Sequence, residues 1–172
     1  FVDTERTQTI ANLDYVNPLD SISKLELGLE SRNFETLVDY SSTGQTFNSN
    51  GQLVATPSTK FVYAMDIYSA YATFGQSFKK WSYQMGVRIE DVEVTADTNA
   101  VRAFTDNYTQ LYPSAFVTYK PNEKDQIQVS YSRRVDRPGL GQVNPIREFA
   151  TPLISAFGNP NLVPQFTSSY EA

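Results

Sequence analysis

The sequence predicts an all-β fold: an antiparallel up-and-down sheet of about seven strands, with short connectors on one rim and long ones on the other. Three observations carry this expectation. Apolar and polar residues alternate with period two along most of the chain, the mark of strands with one apolar and one polar face. The alternating runs reach ~10–12 residues, longer than the ~5–6 of an ordinary strand. The connectors between them alternate strictly, short then long, which loops scattered over a compact domain have no reason to do.

The first strand is expected near 8–16, where Ala11, Leu13 and Tyr15 face away from Asn12 and Asp14. The second, near 24–32, sets Leu25, Leu27 and Leu29 against Glu26, Gly28 and Glu30. A third near 62–75 is less clean, with apolar residues in both phases around Asp66. The fourth, 80–92, is the clearest: Trp81, Tyr83, Met85, Val87 and Ile89 alternate with Ser82, Gln84, Gly86, Arg88 and Glu90. The fifth, 108–120, places Pro113, Ala115, Val117 and Tyr119 opposite Ser114, Phe116 and Thr118, with Phe116 interrupting the polar face. The sixth, 126–135, sets Ile127, Val129 and Tyr131 against Gln126, Gln128, Ser130 and Ser132, and "QFTSSYEA" opens a seventh. Short connectors fall at 17–23, 75–80 and 120–125, long ones at 33–61, 93–107 and 135–165.

Composition narrows the function. Apolar residues are 40% of the chain, below the ~45–50% of a typical globular domain. Aromatics reach 13%, with 11 Tyr, which suits surfaces that are half wet and half apolar. A net charge of -5 without basic clusters argues against nucleic acid and against polybasic docking on anionic lipid. With no histidine and no cysteine, Cys/His metal sites, thiol nucleophiles and imidazole catalysis are excluded. No enzyme, metal or cofactor is expected. The Asp and Asn residues at 97–100 and 105–109 are too sparse for a calcium loop, and nothing in the sequence arranges Glu90 and Asp91 as a glycosidase dyad. No run approaches the ~18 apolar residues of a membrane helix, and no signal segment opens the chain.

Strands of this length match the ~9–11 residues of a tilted membrane crossing. Short turns on a periplasmic rim, long extracellular loops, an apolar outer face and a polar lumen together describe a transmembrane β-barrel of the bacterial outer membrane. A soluble β-sandwich, with the apolar face turned inward, stays open on the pattern alone.

"IQVSYSRRVDRP", followed by "NPI" and "GNPNLVPQFTSSYE", resembles the barrel region of TonB-dependent receptors of Bacteroidota type. The likeness rests on Ser130, Tyr131, Ser132 and Arg133, then Arg137-Pro138, and the turn Gly158 to Pro164. "LYPSAFVTYK" and "FKKWSYQMGVRIE" also look like that family's strands. The resemblance implies an energised importer whose barrel of ~22 strands is plugged by an N-terminal domain. The chain starts in one plausible strand and stops in another, so residues 1–172 are expected to be part of one barrel domain, with no plug domain. Implied partners are the remainder of the parent barrel or another β-chain at the open edges, membrane lipid on the apolar face, and an unknown solute. An inner-membrane energy-coupling protein would be reached only through the parent chain. Gln165 departs from the family pattern, which has an acidic residue there. A structural or secretion-associated outer-membrane barrel and a soluble carbohydrate-binding β-domain are the alternatives.

Lumen-facing polar residues are the first candidates for solute contact: Glu26, Glu30, Asp66, Gln84, Arg88, Glu90, Gln128 and Arg134. Arg88 and Glu90 could equally compensate each other. Arg133, Arg134 and Arg137 beside Asp136 read either as a carboxylate clamp, since guanidinium offers bidentate donors, or as a network pinning the long loop through Asp136 and Glu148. Loop 135–165 is expected to contact solute, with Arg134 and Arg137 as its polar contributors. Asn144-Pro145 and Asn159-Pro160-Asn161 are turn formers. Trp81, Tyr83, Tyr15, Tyr119 and Phe78 cluster at the short-turn end as an interfacial girdle would; a sugar-stacking platform is the rival reading.

Overall fold

The computed structural model describes all residues except Ser42, Ile146, Arg147, Pro152 and Leu153, and the backbone alone at 148–151. In chain order the elements are β1 (Val2–Pro18), β2 (Ser23–Tyr40), β3 (Gln45–Phe47), β4 (Leu53–Ala55), β5 (Thr59–Phe78), β6 (Trp81–Thr98), β7 (Val101–Tyr119), β8 (Ile127–Asp136), the helical turn α1 (Leu140–Val143), β9 (Glu148–Thr151), β10 (Ile154–Ala156) and β11 (Gln165–Glu171). Seven of them form one antiparallel sheet in the order β1-β2-β5-β6-β7-β8-β11. Every neighbour in the sheet is also the next long strand in sequence, so the topology is an up-and-down meander. The pairs β3–β4 and β9–β10 are small separate hairpins.

The long strands run well past the stretches whose alternation announced them. β5 has 20 residues and β7 has 19, about 60 Å of extended chain, twice what a tilted crossing of the bilayer requires. Two expected loops shrink accordingly. The connector at 93–107 is a correction: it is strand on both sides of a two-residue turn, Asn99-Ala100. The connector at 33–61 reduces to residues 41–58, which hold the β3–β4 hairpin.

The reason lies in a change of phase. In β6 the apolar residues are odd-numbered from Trp81 to Ile89, then even-numbered at Val92, Val94 and Ala96. The same exchange occurs in β2, from Leu25, Leu27 and Leu29 to Phe34 and Val38. In β5 it runs from Phe74, Ala72 and Ala70 to Ile67, Met65, Tyr63 and Phe61, and in β7 from Val117, Ala115 and Leu111 to Tyr108 and Phe104. The four exchanges lie at one level of the sheet, because Glu30 pairs with Ser69, Ser69 with Glu90, and Glu90 with Gln110. Below this row the outer face is apolar and exposed, with Leu13 69%, Leu29 57% and Met85 56% accessible. Above it the outer face carries Asp66, Asp91 and Glu93, and the inner face becomes the core. A period-two pattern that reverses its phase resembles a loop in the sequence but is one continuous strand in the sheet.

The core sits on that upper inner face. Val38, Phe61, Tyr63, Ile67, Val92, Val94 and Ala96 are buried there, and Val143 of α1 packs among them at 4% exposure, with Leu140 alongside. Residues 137–145 and 158–164 therefore lie across the inside of the sheet instead of standing clear of it, and we call them the strap. Their irregular backbone is held by N–H···O bonds from Gly158 to Asn144 (2.7 Å) and from Asn159 to Gln142 (2.6 Å). Gly158 is required there: a Cβ would stand 2.5 Å from the Gln142 carbonyl oxygen. The turn formers Asn144 and Asn159 thus act as scaffold.

The sheet makes room for the strap by ending one ladder early. β7 pairs with β8 only from Ser114↔Ser132 to Tyr119↔Ile127. Pro113, which has no N–H to offer a partner, stands immediately beyond the last pair. At the other rim the turns are tight. Asp20 accepts hydrogen bonds from the amides of Ile22 (2.8 Å) and Ser23 (2.7 Å), and the Ile22 amide in particular holds its carboxyl below the usual range.

Candidate functional site

The row where the phase changes also carries the charges. Glu30 and Arg32 from β2, Arg88 and Glu90 from β6, and Arg137 from the strap meet on the inner face. Arg88 donates through Nε to Glu90 (2.7 Å) and through a terminal nitrogen to Glu30 (2.8 Å) and Ser69 (2.8 Å). Arg32 lies 2.5 Å from Glu30 through Nε and 3.3 Å from Glu90 through a terminal nitrogen. The Nε contact is a charge contact without hydrogen-bond alignment, since that nitrogen has no hydrogen-bond partner. Arg137 donates to the second carboxylate oxygen of Glu90 and, through Nε, to the Tyr108 hydroxyl (2.9 Å).

Glu90 is the hub. It is 4% exposed and shared by three guanidiniums from three separate segments, Arg32, Arg88 and Arg137. A buried carboxylate is tolerable only when paired and hydrogen-bonded, and here the strap's first residue supplies part of that pairing. The cluster therefore joins the strap to the sheet wall. Within the sheet, Arg133 ties β8 to β7 and β11, donating to Gln110 (3.2 Å) and lying 5.2 Å from the centroid of Phe166. Phe166 in turn meets Tyr108 edge-on.

Of the four leading candidates, Arg88, Glu90 and Arg137 converge and Arg134 does not. Arg134 is exposed, paired across from Thr167; beyond Ser132 the β7 ladder has stopped, and Arg133 is the residue that turns to Gln110. Asp66 is also a correction. It lies on the outer face, where Asn33 donates to it (2.6 Å), because β5 carries odd-numbered residues inward. Arg137 answers Glu90 and not Asp136, which is exposed opposite Gln165. The Glu148 side chain lies outside the described residues. Glu26 pairs with Lys24 (2.7 Å), and Gln84 and Gln128 face a polar hollow near the short turns.

Three participants were missed: Ser69, which accepts from Arg88, Arg32 and Tyr108. Arg32 shares the even phase of Glu26 and Glu30, so period two alone could have found it. Tyr108 could not be found that way, because its inward side is set by the phase change.

At the short-turn rim Trp81 stacks on Tyr119, centroids 4.4 Å apart, and Phe78 meets Tyr83 edge-on. Between this aromatic row and the charged row, the outer face is a band of exposed Leu, Ile, Val and Met. Such a band, capped below by aromatics and above by carboxylates, is what a lipid-facing surface requires. Residues 2–172 match the outer membrane protein beta-barrel family. The chain belongs to that family.

It is accordingly a protein of the bacterial outer membrane, and its strands, not helices, cross the bilayer. No described helix is long and apolar enough to do so. The short turns at 19–22, 79–80 and 120–126 lie at the periplasmic rim and the strap at the extracellular one. No curated protein matches the chain.

Proposed function

We propose that this barrel segment belongs to a TonB-dependent receptor of Bacteroidota type that imports a nutrient solute across the outer membrane and catalyses no reaction. The observation that carries this reading is the strap folded onto the inner face and tied to Glu90. A passive porin needs an open, water-filled lumen. A barrel whose extracellular mouth holds an inward-folded segment suits gated import instead. The motifs of residues 130–138 and 158–164 favour the same reading.

In this account Arg88 and Glu90 are the fixed half of a latch and Arg137 is its movable half, released when solute binds. Arg134, exposed at the top of β8, is free to meet solute first. Membrane lipid covers the outer band. The backbone groups along β1 and β11, the sheet's two edges, are completed by the remainder of the parent barrel or by another β-chain, since no strand edge is tolerated in lipid. Energy coupling would reach the barrel through the parent chain.

Uptake by whole cells tests the proposal. Dissipating the inner-membrane proton gradient should abolish accumulation of the solute, while the barrel stays folded in the membrane. Replacing Arg134 and Arg137 by Ala should weaken uptake without loss of the barrel. Solute entry that ignores the gradient would instead favour a structural or secretion-associated barrel.

A further inference from the structure

Beneath the strap lies a cavity of about 260 Å³. Tyr63, Phe104 and Tyr108 wall it from the sheet, the segment 160–164 roofs it through Leu162, and two charged side chains reach it, Asp106 and Arg137. Their situations differ. Arg137 is engaged by Glu90, which it shares with Arg32 and Arg88, and its Nε donates to Tyr108. Asp106 makes no ion pair or hydrogen bond among the described residues. The nearest arginine in sequence, Arg102, pairs with Asp97 (2.7 Å) and bonds Thr105. The cavity therefore presents a carboxylate with no direct partner among the described residues, beside three aromatic rings. Ring faces attract cations, and more strongly where water is excluded. An anion would face Asp106 with Arg137 already engaged by Glu90 and Tyr108, and a neutral apolar molecule would leave the carboxylate unpaired.

We propose that this cavity binds a compact amphipathic cation: an aromatic or branched apolar body the size of one amino-acid side chain, bearing a protonated amine. The amine pairs with Asp106, and the body lies between the three rings and Leu162. Because the roof belongs to the strap, occupancy and strap position are coupled. The proposal deepens the importer reading, which supplies its biological role, yet the cavity can be tested without any transport.

The test is calorimetric titration of the purified outer-membrane protein in detergent at pH 7 with 2-phenylethylamine, 2-phenylethanol and phenylacetate as probes. The amine should bind saturably, and the alcohol and the acid about tenfold more weakly or not at all. Asp106→Asn should weaken the amine by about tenfold or more and leave the alcohol unchanged. Leu162→Trp, which fills the cavity, should abolish binding of all three. Equal binding of amine and alcohol, an unaffected Asp106→Asn variant, or no binding of the amine would each overturn the proposal. Uptake is not read in this experiment, so loss of the importer reading would leave its result intact.

Discussion

Without the Glu90 carboxylate, Arg32, Arg88 and Arg137 would face one another with only Glu30 between them. Removing one member of a buried ionic group costs about 3–5 kcal/mol, because the remaining charges are stranded. Glu90→Gln is accordingly expected to lower unfolding stability by that order in a urea titration of the micelle-bound protein, whereas Arg134→Ala at the exposed neighbour should change it little. A second residue-scale effect lies nearer the periplasm. Tyr71 crosses over Gly28 to donate its hydroxyl to Asp14, and a Cβ on residue 28 would come within 2.2 Å of the ring. Gly28→Ala must displace that ring, at a cost of about 1–3 kcal/mol for overpacking. Since the two positions share one contact, Tyr71→Ala should recover part of the loss in the double mutant. Strictly additive losses would show that the ring has another perch.

At the scale of elements, legibility followed the membrane. Strand sequences within the bilayer carry one phase, so β6 from Trp81 to Ile89 and β2 from Leu25 to Leu29 were plain. Above the bilayer the outer face meets water and the inner face meets the strap, so apolar residues change sides. The run Val92, Val94, Ala96 keeps period two but in the opposite phase, and in the sequence it reads as the start of a loop. The turn at its end has a testable weakness. Asn99 and Ala100 both have positive φ, 51° and 63°, a conformation that costs a residue with a Cβ about 1–2 kcal/mol. Asn tolerates it, and here the Asn99 side chain also accepts a bond from the Lys60 amide (2.8 Å). Ala100→Gly should therefore stabilise the hairpin by roughly 1 kcal/mol, seen as slower amide exchange at the tips of β6 and β7. Unchanged or faster exchange there would mean that the turn adopts another form.

For the whole molecule, the lower half is a membrane wall and the upper half a stretch of sheet whose inner face is covered by its own strap. The candidate residues were legible to different degrees for physical reasons. Arg88 and Glu90 sit two apart on one face of a clean strand, and alternation places them together. Arg137 was named, but its partner lies 47 residues away and follows only from tertiary packing. The exchange of Arg133 for Arg134 depends on where the β7–β8 ladder stops, which no local pattern records. The central claim is that the strap lies inside the sheet and that Arg137 holds it there. A chain without cysteine permits a direct measurement: single cysteines at Val143, buried in the core, and at Val163, 73% exposed, labelled on intact cells with a membrane-impermeant maleimide. The cysteine at 143 should resist labelling while that at 163 reacts, and Arg137→Ala should make position 143 reactive as well. Labelling of position 143 as fast as position 163 in the otherwise unaltered protein would place the strap outside and contradict the account.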